Sequence, residues 1–238
     1  GQRKLNGRRV AYVGNIGGVI PLDQEVEKLV KEGAYAFQQL GCDVAEACFD
    51  ASDIQDIIMG TRGFGMVARY ADRYDKHKDL MTSQLINQVS AALDLSVRDV
   101  VRSERLRTQY WHKIRGFMEN FDYIVAPVVG APPFRLDEPL PKQVGGVAVE
   151  RFQDVFLSTY VFSVTGLPMI SVPCGLTKDG RPVGMQIIAR RHREDQAIEA
   201  ASAYERLAPN LFIRPTMDLT VLKPVSEALT TPGVTIKK

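Results

Sequence analysis

Thr165-Gly166-Leu167-Pro168-Met169-Ile170-Ser171-Val172-Pro173-Cys174-Gly175, followed by Thr177-Lys178-Asp179-Gly180-Arg181 and by Pro182-Val183-Gly184-Met185-Gln186-Ile187-Ile188-Ala189, reads as strand, turn and strand. Two short apolar runs flank an Asp-Gly pair, which supplies positive φ at little steric cost where the chain reverses. Gly180 is therefore expected to be a structural turn residue. So is Gly175, which closes the first run where a β-carbon is expected to clash. In the second run Val183, Met185, Ile187 and Ala189 alternate with Gly184, Gln186 and Ile188. Both sets are mainly nonpolar, the pattern of a strand covered on two sides. The pair belongs in the core of an α/β fold.

Helical segments are expected on either side of this pair, from about Phe152 to Val164 and from Glu194 to Ala208, and Asp122 to Pro127 reads as a further strand. With these flanks, TGLPMISVPCG and DGRPVGMQIIARR resemble the C-terminal half of the amidase signature hydrolases, and the order of elements from Arg8 to Ala208 is similar to that half. The resemblance implies a mixed β-sheet core covered by helices and cleavage of a carbon-nitrogen amide bond in a small-molecule substrate, with no metal and no cofactor. In that family the nucleophilic serine, a second serine in a cis peptide and a lysine sit on a glycine- and serine-rich segment upstream of the part resembled. No stretch of this chain matches it, so no catalytic residue is assigned. The resemblance also implies that the loop after the Asp122–Pro127 strand lines a substrate funnel. Val128, Val129, Pro132, Tyr160 and Thr165 are then the candidate lining residues. The family usually has hydroxyl residues after the first proline of that loop, whereas Val128 and Val129 stand here, which makes the pocket more apolar.

Nearer the start, Val10 to Val13 is a β-rich run opening into Gly14-Asn15-Ile16-Gly17-Gly18. Pro21 and Asp23 mark a helix start, Gly41 its stop, and Val44 to Phe49 a second strand, a β-loop-α-β unit that invites parallel pairing. A glycine loop between strand and helix can cradle phosphate. GNIGG is neither GxGxxG nor a P-loop, however, and such units without ligands are common. Gly63 to Ala68 matches GxGxxA in spacing but follows residues at helical spacing, so it lacks the context that would give it meaning.

From Asp53 to Phe121 the pattern is helical, with interruptions expected near Gly60 to Gly65 and around Asp94. Ser96 and Asp99 form a candidate capping box ahead of a long helix whose apolar stripe takes in Val97, Val100, Val101, Ile114, Phe117 and Met118. Its other face carries Arg98, Arg102, Arg105, Lys113 and Arg115, interrupted by acidic residues as on an ordinary solvated surface. Asp72, Asp75, His77 and Asp79 resemble a ligand cluster, but Arg73, Lys76 and Lys78 lie among them and oppose a cation. His112 and His192 stand apart from any Ser-His-Asp spacing.

Thirty basic and 28 acidic residues leave a formal charge of +2 in a chain of 238, too balanced a field to imply nucleic acid or membrane as a partner. Neither a run of 18 apolar residues nor a signal-peptide pattern is present in the sequence, so a cytoplasmic location is expected. Three cysteines without a CxxC pair argue against a disulfide framework or a thiolate metal site, and buried inert thiols are expected. Residues 1–208 are expected to form one α/β domain that is part of a larger amidase fold, and 209–238 an extended tail. Leu136 to Val149 reads as a linker-like flap. The expected partner is the N-terminal half of the fold, or a second copy of the chain through self-association. Two alternatives remain: a non-catalytic subunit of an amidotransferase-like assembly, and a small-molecule binding module built on the first β-loop-α-β unit.

Overall fold

The computed structural model describes residues 5–135 and 140–212. The expected C-terminal tail from 213 onward lies outside the described residues. Strand β1 (Arg9–Tyr12) leads through a glycine loop to α1 (Gln24–Tyr35), which tightens into a 3-10 turn over Ala36–Leu40, and then to β2 (Asp43–Glu46). Asp23 starts α1, its carboxylate accepting from the amides of Glu25 at 2.9 Å and Val26 at 3.3 Å, which satisfies donors left open at a helix start. Gly41 ends the segment at φ 83, as its position after the last apolar residue of the periodic pattern predicts. The β1 and β2 strands pair in parallel.

Three helices follow: α2 (Ile54–His77), α3 (Ser83–Leu93) and α4 (Val97–Phe117). The interruption expected at Gly60 to Gly65 does not occur, because α2 runs straight through it. Glycine costs about 1 kcal/mol in a helix interior. Here it permits close approach: a β-carbon on Gly60 would lie 2.2 Å from Ser103 of α4, and one on Gly63 2.3 Å from Leu95. The break expected near Asp94 is present, and Ser96 with Asp99 forms the capping box that restarts the chain as α4. The stripe of α4 is buried only in its later half, at Tyr110, Ile114 and Met118, while Val97 is 80% exposed. Asp72, Asp75, His77 and Asp79 lie on exposed turns at the end of α2 and just after it, and the described residues contain no group of three His, Cys, Asp or Glu that could hold a metal.

After β3 (Tyr123–Pro127) comes a small hairpin, β4 (Gln143–Val144) with β5 (Val147–Ala148), in the stretch read as a linker. Two short helices, α5 (Phe152–Val155) and α6 (Leu157–Ser163), stand where one longer helix is expected, separated at Phe156. The pair β6 (Met169–Leu176) and β7 (Pro182–Ala189) is antiparallel, with a bulge between Pro173 and Gly175, and α7 (Glu194–Leu207) closes the described chain apart from a 3-10 turn at Pro209–Phe212.

The five-stranded sheet has the order β2-β1-β3-β7-β6, with β1 parallel to both β2 and β3 and with β7 antiparallel to β3 and β6. Every residue of β3 is buried. On one face Val10, Val125, Met185 and Ile187 pack with Val26, Val30 and Phe37 of the first helical segment and with Ala200 and Tyr204 of α7. On the other, Ala11, Ile124 and Ile188 pack with Ile54, Ile57 and Ile58 of α2, Ile114 of α4 and Phe162 of α6. Each fully buried Val, Ile, Met or Phe side chain among them contributes about 1.5–3 kcal/mol by leaving water. A sheet covered on both faces is what nonpolar residues at both strand phases require.

Candidate functional site

The loop after β3 is held at residue after residue. Gln186 of β7 is 3% exposed and uses its Nε2 to donate to the Pro127 carbonyl at 2.9 Å and to the Ser158 carbonyl at 3.1 Å. The Val128 carbonyl accepts from Ser158 Oγ and from Thr159 Oγ1, each at 2.6 Å, while its amide donates to the Gly184 carbonyl at 3.2 Å. Gly130 accepts from the Asp23 amide at 2.8 Å, and a β-carbon there would lie 2.0 Å from the Pro21 carbonyl. Arg181 donates to the Pro133 carbonyl at 2.8 Å. One buried amide thus ties the end of β3 to α6, and the loop is fastened to four other segments. Sequence reasoning marked Gln186 only as one member of a strand; its glutamine identity amid apolar neighbours is the signal that it serves a polar purpose.

Val128, Val129 and Pro132 are half-buried on this loop. Tyr160 lies on α6, with the Arg62 guanidinium 5.7 Å from its ring centroid. Thr165 is buried, donating its hydroxyl to the Phe162 carbonyl at 2.5 Å and accepting from the Leu167 amide at 3.3 Å. Both directions of that hydroxyl are therefore used locally. Gly180 has φ 82 in the turn, where Thr177 accepts from the Gly180 amide at 2.8 Å. Gly175 is buried, and a β-carbon there would lie 2.8 Å from Leu29 Cδ2.

A cavity of about 360 Å³ opens between α2, α3 and the start of α5. Its apolar walls include Ile58, Met59, Met66 and Phe152, and its polar ones Arg62, Asn87 and Gln88. A neighbouring cleft of about 280 Å³ shares Ile58, Arg62 and Met66 with it and adds Tyr160. Tyr160 is the candidate that meets a cavity wall here, while Val128, Val129, Pro132 and Thr165 line neither space. Arg62, absent from the sequence candidates, lies at the junction.

The glycine loop after β1 borders a shallow cleft with Glu27 and Glu46 in its wall, and burial with Glu27 nearby pushes the Tyr12 hydroxyl well above its usual range. Carboxylates there oppose a phosphate. Cys174 and Cys42 are buried, and desolvation raises their thiols to about 12 and about 11, which keeps them protonated and inert. Cys48, expected to be buried, is exposed beside the glycine loop.

The family model described as Amidase matches residues 2–198. The chain is 29% identical over 223 residues to an acylamidase of Rhodococcus erythropolis, covering 91% of this chain and 46% of that protein. It is 25% identical over 222 residues to a glutamyl-tRNA(Gln) amidotransferase component of Thermodesulfovibrio yellowstonii, covering 82% of this chain and 44% of that protein. Among solved structures, a bacterial aryl acylamidase of the amidase signature enzymes superposes with a TM-score of 0.76 at 26% identity, covering 87% of this chain and 45% of that one. The chain spans about half the length of the relatives it matches.

Proposed function

Because this chain belongs to the amidase family, we propose that it is the C-terminal portion of an amide-hydrolysing fold, providing core strands and one wall of the pocket for a small-molecule amide. The observation that carries this reading is the family match over residues 2–198, together with a loop after β3 held in one place by Gln186, Ser158 and Thr159. A pocket wall must hold its position while chemistry proceeds, since small displacements of a bound substrate cost large factors in rate. Val128, Val129 and Pro132 present an apolar surface on that loop, and Tyr160 adds an aromatic edge from α6. In this reading the nucleophilic serine, the serine of the cis peptide and the lysine are supplied by a glycine- and serine-rich segment outside this chain. There the lysine takes the proton through the cis serine, and the nucleophile forms an acyl-enzyme that water hydrolyses.

The test is assembly. The 238-residue chain alone is expected to turn over no aryl amide and to take no fluorophosphonate label; adding the polypeptide encoded upstream of Gly1 is expected to restore turnover. Stoichiometric labelling of any serine in this chain overturns the reading. A second reading, one component of an amidotransferase-like assembly, draws on the relatives named as glutamyl-tRNA(Gln) amidotransferase components. It is favoured if the chain copurifies in a defined complex that passes ammonia to an acceptor instead of releasing it. No helix among the described residues is long and apolar enough to cross a membrane, and a cytoplasmic site of action fits this reading.

A further inference from the structure

Arg62 projects from α2 into the junction of the two clefts and has no carboxylate partner in the ion pairs of the described residues. The neighbouring arginines are placed differently: Arg102 reaches Asp56 at 2.7 Å, and Arg151 reaches Asp154 at 3.0 Å. Arg62 donates from Nη2 to Gln88 Oε1 at 2.5 Å and lies over the Tyr160 ring, while its Nε–H is buried without an acceptor. A guanidinium carries five donors and always bears its charge. A cation half-withdrawn from water, with no counter-charge among the described residues and with one donor orphaned, is under-satisfied where it stands. Among the described residues, the one carboxylate in the wall of the larger cavity, Glu150, is exposed.

We propose that this cleft binds a small organic carboxylate with an apolar body, its oxygens taken by Arg62 and its body lying against Ile58, Met59, Met66 and Phe152. The guanidinium fork matches a carboxylate in two parallel hydrogen bonds, which a neutral amide of the same shape cannot reproduce with equal strength. Asn87 and Gln88 stand in the same wall with further amide donors. A volume of about 360 Å³ lies at the small end of the range for ligand sites, which fits a single-ring acid. The inference does not rest on amide hydrolysis, because it is asked of this chain by itself and read as binding.

The experiment titrates the 238-residue chain with phenylacetate and 3-phenylpropionate, and with the matched neutral amides, following ligand and protein resonances by NMR. Expected are saturable binding of the acids, binding of the amides weaker by about tenfold or more, and a loss of about tenfold or more in acid affinity in Arg62→Met, each tenfold corresponding to about 1.4 kcal/mol. Arg62→Lys keeps the charge but not the fork and is expected to fall between. Arg69→Met, on the same helix and in the wall of the smaller cleft alone, is the control and leaves acid binding unchanged. Equal affinities for acid and amide, absence of saturable binding by either acid, or native affinity in a folded Arg62→Met variant each overturns the proposal. The acid-to-amide comparison uses the unaltered chain, so it stands even where a variant fails to fold. Failure of assembly to restore turnover leaves this binding test intact, and the reverse holds as well.

Discussion

Gly60 of α2 and Ser103 of α4 touch where the two helices cross: a β-carbon on Gly60 would lie 2.2 Å from the Ser103 Cβ, and Ser103 Oγ donates to the Ile57 carbonyl at 2.8 Å beside it. Replacing an interior helical glycine by alanine ordinarily stabilises by up to about 1 kcal/mol. At Gly60 the sign reverses. Gly60→Ala is expected to cost about 1–3 kcal/mol through overpacking, whereas Gly65→Ala on the same helix, with open space around it, is expected to be neutral or stabilising. Urea unfolding of both variants checks this, and a Gly60→Ala protein as stable as the native chain refutes the crossing.

Gly175 and Gly180 are expected to resist substitution for different reasons. Gly180→Val places a β-branched residue at φ 82, a strain of about 1–2 kcal/mol in the left-handed region. Gly175→Val collides with the Leu29 side chain. Adding Leu29→Ala is therefore expected to relieve part of the Gly175→Val defect and none of the Gly180→Val defect. The double-mutant cycle reads that coupling directly.

Removing the buried amide that ties β3 to α6 has a calculable effect. Gln186→Leu removes the hydrogen bonds to the Pro127 and Ser158 carbonyls, each worth about 0.5–1.5 kcal/mol net. Thermal unfolding should fall accordingly. Hydrogen exchange should rise first at the Val128 amide, whose bond to Gly184 depends on the same alignment. A melting temperature unchanged from native would show that the tie contributes nothing.

Asp122 is one of the groups that tie the stability of the chain to pH on the acid side. Burial raises its carboxyl, but the Arg9 amide at 2.9 Å and the Arg8 side chain at 3.1 Å outweigh that and hold it below the usual carboxylate range. A depressed folded value means stability that is present above the unfolded value and lost as pH falls through the folded one. Asp122→Asn is expected to cost about 1.5–3 kcal/mol near neutrality, the range for hydrogen bonds to a charged group, and to flatten the decline in stability on the acid side of about pH 4. Parallel declines in both proteins below that pH count against Asp122 as the source.

Local chemistry was legible in the sequence; what depends on distant partners was not. The β6–β7 pair follows from alternation and an Asp-Gly turn, and the start of α4 from Ser96 and Asp99, because each signal lies within a few residues of its effect. The path of α2 through Gly60 and Gly63 was not legible, since their helical cost is offset by contacts with Ser103 and Leu95, 43 and 32 residues further on by their numbers. The strand order was hidden for the same reason, since β7 pairs with β3 across about 60 residues of sequence. Of the candidate site, the resemblance pointed to the loop after β3 and to Tyr160, and of these residues Tyr160 borders one of the two clefts described above. It could not identify Arg62, whose interest lies in what surrounds it and not in any motif.

Along the hydrogen-bonded ladders alone, the sheet order makes load transmission serial. Strand β6 is joined to the rest of the sheet through β7, and β7 to β1 and β2 through β3. A force applied along the outer edge of β6, by a docking chain or by a pulling instrument, passes through the β7 ladder before it reaches β3 and the loop that Gln186 holds. The bulge between Pro173 and Gly175 sits on that route and interrupts the ladder there. Stiffening at β6 should register as slower amide exchange along β7, the strand it is bonded to, while α1, packed on both β6 and β1, carries the effect toward the far edge by a second route.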